Sequence, residues 1–214
     1  MRVCNLAAVA ISVLCLAGLP GCKIVRISDL AAAQNKGAGA SVADRAAKIW
    51  SDKAPQYLTA NAHPASEVLA AIAADLGAAG AKYGHRQAGE GAPWTFIVSG
   101  AGTVRQKNTE SRAGTLVVAL AGADPVQETT IQIGPVVRGS AIRDSLPFIS
   151  FEDFENQMDY ADMGKALNAL AMKAVEPDSE MAEPGKTVQF VGVITLSSAS
   201  DHVLVTPVSL KVTQ

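Results

Sequence analysis

Five polar residues between positions 138 and 157 have the side-chain types that hold a small polar ligand. Arg138 and Arg143 carry guanidinium groups, which bind a carboxylate or a phosphate through paired hydrogen bonds. Asp144, Asn156 and Gln157 add a carboxylate and two amides, groups that suit sugar hydroxyls. We predict these five residues as ligand-binding candidates.

The same residues also have a structural interpretation. Arg143 can pair with its neighbour Asp144, and Arg138 can donate to exposed carbonyls at a helix junction. The amides of Asn156 and Gln157 can cap a helix or satisfy nearby backbone. Both arginines lie among turn residues that need anchoring. For the arginines we therefore favour the structural role over the ligand clamp.

The sequence gives no case for catalysis. No G-x-S-x-G, H-E-x-x-H or P-loop motif occurs. An acidic run near position 155 is typical of a solvated helix face, and no pair of carboxylates is singled out for glycoside hydrolysis. The acidic run also lacks the spacing of an EF-hand calcium-binding loop. We predict no catalytic residue, no metal site and no cofactor. The acidic residues are Glu152, Asp153, Glu155, Asp159 and Asp162.

The N-terminus has the pattern of a bacterial lipoprotein signal. Arg2 precedes an apolar stretch over residues 6–19, which is too short for a confident membrane span. The following Leu-Pro-Gly-Cys ends at Cys22 and resembles a lipobox. We predict a signal peptide over residues 1–21, lipidation of Cys22, and a tether over residues 22–40 on the periplasmic face of a bacterial membrane. The alternative is an ordinary secretory signal cut nearby.

Cysteine content and charge exclude several protein classes. The three cysteines are Cys4, Cys15 and Cys22, so a chain cleaved before Cys22 has no disulfide and no free thiol. The formal net charge is −2 and no basic block occurs. Nucleic-acid binding relies on clustered Lys and Arg, so we do not expect a nucleic-acid partner.

Helical periodicity dominates residues 41–91, which we predict as a small helical domain. Ser41 and Asp44 have capping-box spacing, and apolar residues recur every three or four positions up to residue 76. Pro55 marks an expected helix end or kink, and Gly77 and Gly80 are expected stop signals. A polar, Gly-rich stretch over 85–91 predicts the boundary to a second domain.

From residue 92 the apolar residues recur at every second position, and this pattern predicts a β domain over residues 92–214. The patterns indicate strands from residue 94, with a bend at 100–102, and at 115–120, 129–133, 186–196 and 203–212. A helix over 151–174 separates the third strand from the fourth, with Ser150 as its N-cap and an apolar face that includes Phe151, Phe154 and Met158. Residues 177–185 are expected to form a loop. The predicted class is α+β, and the element order is that of an OB-like five-stranded β-barrel.

A set of motifs spread over most of the chain is centred on the runs RGSAIRD (138–144) and PFISFEDFENQ (147–157). The set also includes Gly134, Cys22-Lys23, Ile49-Trp50, Tyr83-Gly84, Pro93-Trp94 and residues 206–210. Together they resemble the signature of the DUF2291 family of predicted periplasmic lipoproteins. The resemblance implies a small helical part followed by an OB-like part, and genes that lie near sugar ABC-transport genes. It implies no catalytic residues.

Three functions remain open at this point. The first is a lipid-anchored accessory protein that binds a small ligand such as a sugar, or passes it to an ABC-transporter component. It predicts a pocket between helices and barrel, lined by Trp or Tyr with Arg138 or Arg143. The second is a protein-interaction scaffold with an exposed apolar patch. The third, an envelope hydrolase, needs converging carboxylates or a Ser/His pair, and we rank it last.

Overall fold

The computed structural model of the protein describes residues 41–87, 91–122 and 126–213. Every described residue belongs to one compact unit, Ala40–Gln214. The predicted signal peptide, the lipidation site Cys22 and the tether lie outside the described residues. Within the described ranges, no helix combines the length and the apolar character needed to span a membrane.

Four helices open the described chain, at α1 Val42–Asp52, α2 Ala54–Ala60, α3 Ala65–Ala74 and α4 Leu76–Tyr83. The predicted capping box is confirmed, because the Asp44 amide donates to Ser41 Oγ at 3.1 Å and the Ser41 amide donates to Asp44 Oδ2 at 3.2 Å. Pro55 lies in the first turn of α2, where its missing N–H costs nothing.

The predicted stop signals Gly77 and Gly80 are wrong, since both lie inside α4. At Gly80 the reason is packing rather than turn geometry. A Cβ at this position would lie 2.2 Å from the indole ring of Trp94. Only glycine lets the helix approach the first residue of the following long strand this closely.

The strands are β1 His63–Pro64, β2 Gly84–His85, β3 Trp94–Asn108, β4 Thr115–Leu120, β5 Glu128–Gln132, β6 Thr187–Leu196 and β7 Leu204–Thr213. The five long strands pair in the order β3-β4-β5-β7-β6, and β6 pairs again with β3, which closes the circuit. The β5–β7 pairing is parallel, and the other four pairings of this circuit are antiparallel. The α+β class is confirmed, and β4 has the predicted bounds.

Strand β3 connects the circuit because its two halves have different neighbours. Residues 94–103 pair with β6, and residues 102–108 pair with β4. No register shift accompanies the bend predicted at 100–102, because the shift falls between Val104 and Gln106. Gly102 is needed for close approach, because a Cβ there would lie 2.2 Å from the Ala119 carbonyl oxygen.

The segment between β5 and β6 contains α5 Ala141–Asp144, a 3₁₀ turn Phe151–Asp153 and the long helix α6 Gln157–Met181. The predicted helix start at 151 is wrong. Ser150 and Asp153 do form a capping box, but it closes only the 3₁₀ turn. The Asn156 side chain accepts from the amides of Met158 and Asp159, and this second cap starts α6.

Two further expectations for α6 are wrong. The helix continues through Pro177 to Met181, so residues 177–181 are not a loop. The expected apolar face breaks because the 3₁₀ turn precedes the helix: Phe151 is 51% exposed and Met158 is 71% exposed. Phe154 is half-buried.

The hydrophobic core runs without interruption through helices and strands. Leu58 and Val68 from the first helices, Phe96 and Ile194 from the sheet, and Leu167 from α6 are buried in one cluster. The predicted segments 41–91 and 92–214 thus share a core within one compact unit. The domain boundary at residue 91 itself stays a prediction.

Candidate functional site

A cleft with a volume of about 610 Å³ opens between the end of the helical segment, the sheet and α6. Its walls are residues 85–87, residues 92–95 up to the start of β3, the neighbouring end of β6, the turn at 147–152 and the first turn of α6. Its polar lining includes His85, Arg86, Gln87, Thr95, Asp144, Ser150, Glu152, Gln157, Tyr160 and Thr195. This cavity is called the cleft below.

A closed ring of hydrogen bonds forms one side of the cleft. Arg143 Nε and Nη2 both donate to Asp144 Oδ1, at 2.8 and 2.6 Å. Arg143 Nη2 also donates to Ser140 Oγ at 2.9 Å, and Ser140 Oγ donates to Asp144 Oδ2 at 2.7 Å. Arg143 Nη1 reaches the Tyr160 carbonyl at 3.0 Å. The ring holds the Arg143 guanidinium in place, and its bond to the Tyr160 carbonyl fastens α5 to the first turn of α6.

Gln87 also lines the cleft and bonds to the same elements as Arg143. Its Nε2 donates to the carbonyl of Ile149 at 2.8 Å and approaches those of Arg143 and Leu146 at 3.3 and 3.5 Å. Its Oε1 accepts a hydrogen bond from the Tyr160 phenol. The Gln87 side chain thus joins the chain just after β2 to three carbonyls between residues 143 and 149, and to α6.

Tyr160 is the aromatic centre of this arrangement. The Arg143 guanidinium carbon lies 3.6 Å from its ring centroid, and the rings of Phe151 and Phe154 meet it edge-on at 5.4 and 5.3 Å. Burial raises the pKa of the Tyr160 phenol, and the nearby positive charge of Arg143 opposes this increase in part. The phenol therefore stays protonated as a donor to Gln87 at neutral pH.

Arg86 lies on the face of Trp94, with its guanidinium carbon 3.8 Å from the ring centroid. Arg86 Nε and Trp94 Nε1 are both buried and have no acceptor within the described residues. No hydrogen bond or ion pair of the Arg86 guanidinium occurs within that part of the chain. Stacking on the ring thus positions this cation.

The cleft presents hydrogen-bond donors and acceptors beside aromatic rings. Thr95 and Thr195 place their hydroxyls 3.5 Å apart across β3 and β6. Gln157 lies exposed at the start of α6. In the described ranges no three His, Cys, Asp or Glu side chains are grouped so that they could hold a metal ion. The arrangement suits reversible binding of a molecule with several hydroxyl groups.

The five predicted ligand residues do not meet at one site. Asp144 and Gln157 line the cleft, and Arg143 lies behind its wall, where the partners described above use its guanidinium. Asn156 caps α6. Binding of a ligand by any of them stays a prediction.

Arg138 lies in a separate depression of about 410 Å³ on the outer face of β3, β4 and β5. Its backbone amide donates to Gln132 Oε1 at 2.8 Å, and Gln132 Nε2 approaches its carbonyl at 3.3 Å. The buried Gln132 thus fixes the Arg138 backbone, while the Arg138 side chain is exposed. Arg138 and Arg143 do not form a shared clamp.

Sequence reasoning missed Arg86, Gln87 and Tyr160. The first two fall in the stretch interpreted as a polar linker, and Tyr160 interrupts an acidic run. The partners of Gln87 lie 56 to 73 positions away in the chain. No local pattern predicts such contacts. The sequence offered one weak signal for this site: an arginine and a tryptophan, Arg86 and Trp94, flank a Gly-rich stretch.

A model of the family described as "Predicted periplasmic lipoprotein (DUF2291)" matches residues 12–211, in agreement with the resemblance carried by the central motif. No curated protein matches the chain. Among solved structures, the chain is similar to an OB-fold protein from Thermotoga maritima, with 17% identity and a TM-score of 0.68. The similarity covers 82% of this chain and 100% of that one, and at this identity it concerns the fold alone.

Proposed function

Because the chain belongs to the DUF2291 family of predicted periplasmic lipoproteins, we propose that it is a lipid-anchored, non-catalytic protein that binds a small hydroxyl-rich ligand in the cleft. A sugar is the ligand class that suits the lining best. A sugar ABC-transporter component is the proposed partner. This link to transport is supported by the gene neighbourhood that the family resemblance implies, and by no single residue.

The anchor is a lipid on Cys22, the last residue of the lipobox-like sequence. Acyl chains bury many CH₂ groups in a bilayer, which holds the protein at the membrane surface. A Cys22→Ser variant tests this point. The wild-type protein should sediment with the membrane fraction, whereas the variant should appear as an uncleaved precursor without a lipid. An unchanged, acylated product would overturn the anchor.

The scaffold proposed for the site is an OB-like barrel of five strands. Its support is the closed pairing circuit of β3, β4, β5, β7 and β6, together with the OB-fold neighbour. A closed barrel removes unpaired strand edges and holds its side chains rigidly. The cleft then lies between this rigid surface and the turn that precedes α6.

The observation that carries the binding function is the composition of the cleft. Hydroxyl and amide groups, with a few charged side chains, line a cavity of about 610 Å³, a size typical of small-molecule sites, and the rings of Tyr160 and Phe151 supply apolar faces. Sugars combine hydroxyl groups with apolar ring faces, so they match both parts of the lining.

A blocking variant tests the function. Thr195 is exposed on β6 and lines the cleft, so Thr195→Tyr should fill part of it. Gln189 lies on the same face of β6 but lines neither cavity, so Gln189→Tyr is the matched control. Full-length protein in detergent is titrated calorimetrically with pentoses, hexoses, sugar acids and sugar phosphates.

The expected result is selective binding that Thr195→Tyr weakens at least tenfold and Gln189→Tyr leaves unchanged. A ligand at a hundred times its dissociation constant should also stabilise the protein by about 2.7 kcal/mol. Absence of binding by a folded protein, or equal binding by both variants, would overturn the cleft as the site.

The second candidate is a scaffold that binds another protein. It is favoured by two exposed apolar side chains near the cleft, Phe151 at 51% and Met158 at 71% exposure. A photo-crosslinker at position 158 should then capture one discrete protein in membranes, and Phe151→Ser should abolish the capture. A sugar-specific stabilisation without any crosslink would decide against this scaffold.

A further inference from the structure

We propose that the ligand of the cleft carries a negatively charged group, a carboxylate or a phosphate, and that Arg86 binds this group. The inference rests on the proposed function of the cleft and narrows its ligand class. It concerns a residue that is separate from Arg138 and Arg143. The relevant chemistry is an anion attached to a hydroxyl-rich body, as in sugar acids and sugar phosphates.

The first support is the position of the Arg86 guanidinium. It stacks on Trp94 at 3.8 Å and lines the cleft. Charged side chains are rarely buried without a partner, and Arg143 has Asp144 as its partner. Across the described ranges, the guanidinium of Arg86 has no such partner. A stacked arginine keeps its fork of donors fixed in direction, which is the geometry that binds planar carboxylates and phosphates.

The second support is a pair of unsatisfied donors at the same place. Arg86 Nε and Trp94 Nε1 are buried without an acceptor from the described part of the chain. Buried N–H groups without acceptors are destabilising, and native proteins contain few of them. Arg86 lines the cleft and Trp94 stacks on its guanidinium, so this part of the structure is rich in donors and short of acceptors. An anion supplies acceptors of this kind.

The third support is the charge balance around the cleft. Asp144 would repel an anion, but its carboxylate accepts from Arg143 and from Ser140, which offsets its charge. Glu152 is exposed at the rim. Arg86 is thus the lining cation without a carboxylate partner in the described residues, and His85 is adjacent to it in the chain and also lines the cleft.

The remaining groups of the lining recognise the neutral part of the ligand. Thr95 and Thr195 are cross-strand partners at the paired ends of β3 and β6, and both line the cleft. Gln157 and Tyr160 face them from α6. A ligand whose anion is at Arg86 can therefore place its hydroxyls between these two walls.

The test compares ligands that share one carbon skeleton. Full-length protein in detergent is titrated with D-glucose, D-gluconate, D-glucose 6-phosphate and inorganic phosphate. The titrations are repeated with Arg86→Gln, with Arg86→Lys, and with Arg105→Gln as control. Arg105 is exposed on β3 and lines neither cavity. Thermal unfolding of each variant verifies that it is folded.

We expect gluconate or glucose 6-phosphate to bind at least about tenfold more tightly than glucose, the gain that one charge-assisted contact provides. The stronger of the two identifies the anion as carboxylate or phosphate. Arg86→Gln should abolish the preference, Arg86→Lys should retain part of it, and Arg105→Gln should retain all of it.

The failures are distinguishable. Binding of glucose that matches both charged sugars overturns the anion inference and leaves the proposed function intact. Lack of binding by all three sugars overturns both. Binding of phosphate alone, with no gain from the sugar body, overturns the sugar-like ligand class. The comparison of ligands on the wild-type protein decides the point even where an Arg86 variant does not fold.

Discussion

The guanidinium of Arg143 binds the carboxylate of Asp144, its neighbour in the chain, through two nitrogens at 2.8 and 2.6 Å. Only 11% of the Arg143 side chain and 24% of the Asp144 side chain are exposed. These two residues, which have the side-chain types of a ligand clamp, thereby bind each other. Arg143 also joins α5 to α6 through its bond to the Tyr160 carbonyl. A cleft wall depends on this pair.

Replacement of Arg143 should therefore reduce stability. Arg143→Gln leaves Asp144, Ser140 and the Tyr160 carbonyl without their donor, and a loss of about 2–4 kcal/mol in the free energy of unfolding is expected. Denaturant unfolding measures it. Arg105→Gln, at an exposed site, should change stability by less than about 0.5 kcal/mol. A loss below about 1 kcal/mol for Arg143→Gln would contradict the structural role.

Arg138 should behave differently because it lies on the outer face of the sheet with an exposed side chain. Arg138→Gln should change the free energy of unfolding by less than about 0.5 kcal/mol. It should also leave binding in the cleft unchanged. Calorimetric titration of this variant beside Arg86→Gln checks the contrast, and a tenfold loss of affinity in Arg138→Gln would show that the two cavities are coupled.

The two phenylalanines just before α6 should contribute unequally to the free energy of unfolding. Phe154 is half-buried between the guanidinium of Arg45 at 4.7 Å and the ring of Tyr160 at 5.3 Å. Phe154→Ala should cost about 1–3 kcal/mol, less than the roughly 3–5 kcal/mol of a fully buried ring. Phe151→Ala should cost under about 1 kcal/mol because half of that ring is exposed. Equal losses in urea unfolding would refute this ranking.

The neighbouring amide residues Asn156 and Gln157 should have different effects, one on stability and the other on ligand binding. Asn156→Ala removes the side-chain cap of α6 and should cost about 1 kcal/mol while binding is preserved. Gln157→Ala, at an exposed site in the cleft, should weaken binding with less than about 0.5 kcal/mol of destabilisation. Unfolding and titration curves for both variants provide the check. The opposite pattern would assign the ligand contact to Asn156.

Alkaline pH should destabilise the fold through Tyr160. Its folded-state pKa is raised by burial, so ionisation is easier in the unfolded chain. This contribution to stability is complete below the unfolded-state pKa of about 10 and is lost as pH rises through the higher folded-state value. Tyr160→Phe should therefore lose less stability between pH 8 and pH 11 than the wild type, as measured by denaturant unfolding at each pH. Parallel losses in both proteins would rule out this role.

Local signals were sufficient for much of the fold. The capping box at Ser41, the bounds of β4 and the order of strands around α6 all follow from patterns within a few residues. The start of α6 did not, because Ser150 and Asn156 are both good caps six positions apart. The choice between them depends on the turn that Gln87 ties down from a distant part of the chain.

The candidate site was less accessible to sequence reasoning than the fold. Asp144 and Gln157 were identified by residue type, and both line the cleft. Arg86 and Tyr160 acquire their roles only from tertiary contacts, with Trp94 and with Arg143. Stacking of this kind has no fixed spacing, so the sequence predicted a linker where the structure has a wall of the cleft.

The pairing of β3 with β6 also has a consequence for biogenesis. Trp94 pairs with Leu196 and Thr103 with Thr187, so the partner strand of β3 lies roughly 80 to 100 residues later in the chain. During export the N-terminal half crosses the membrane first, and one edge of β3 is then an unpaired template for aggregation. We therefore expect the yield of native protein to depend on how quickly the C-terminal strands follow, or on a chaperone that covers β3 until they arrive.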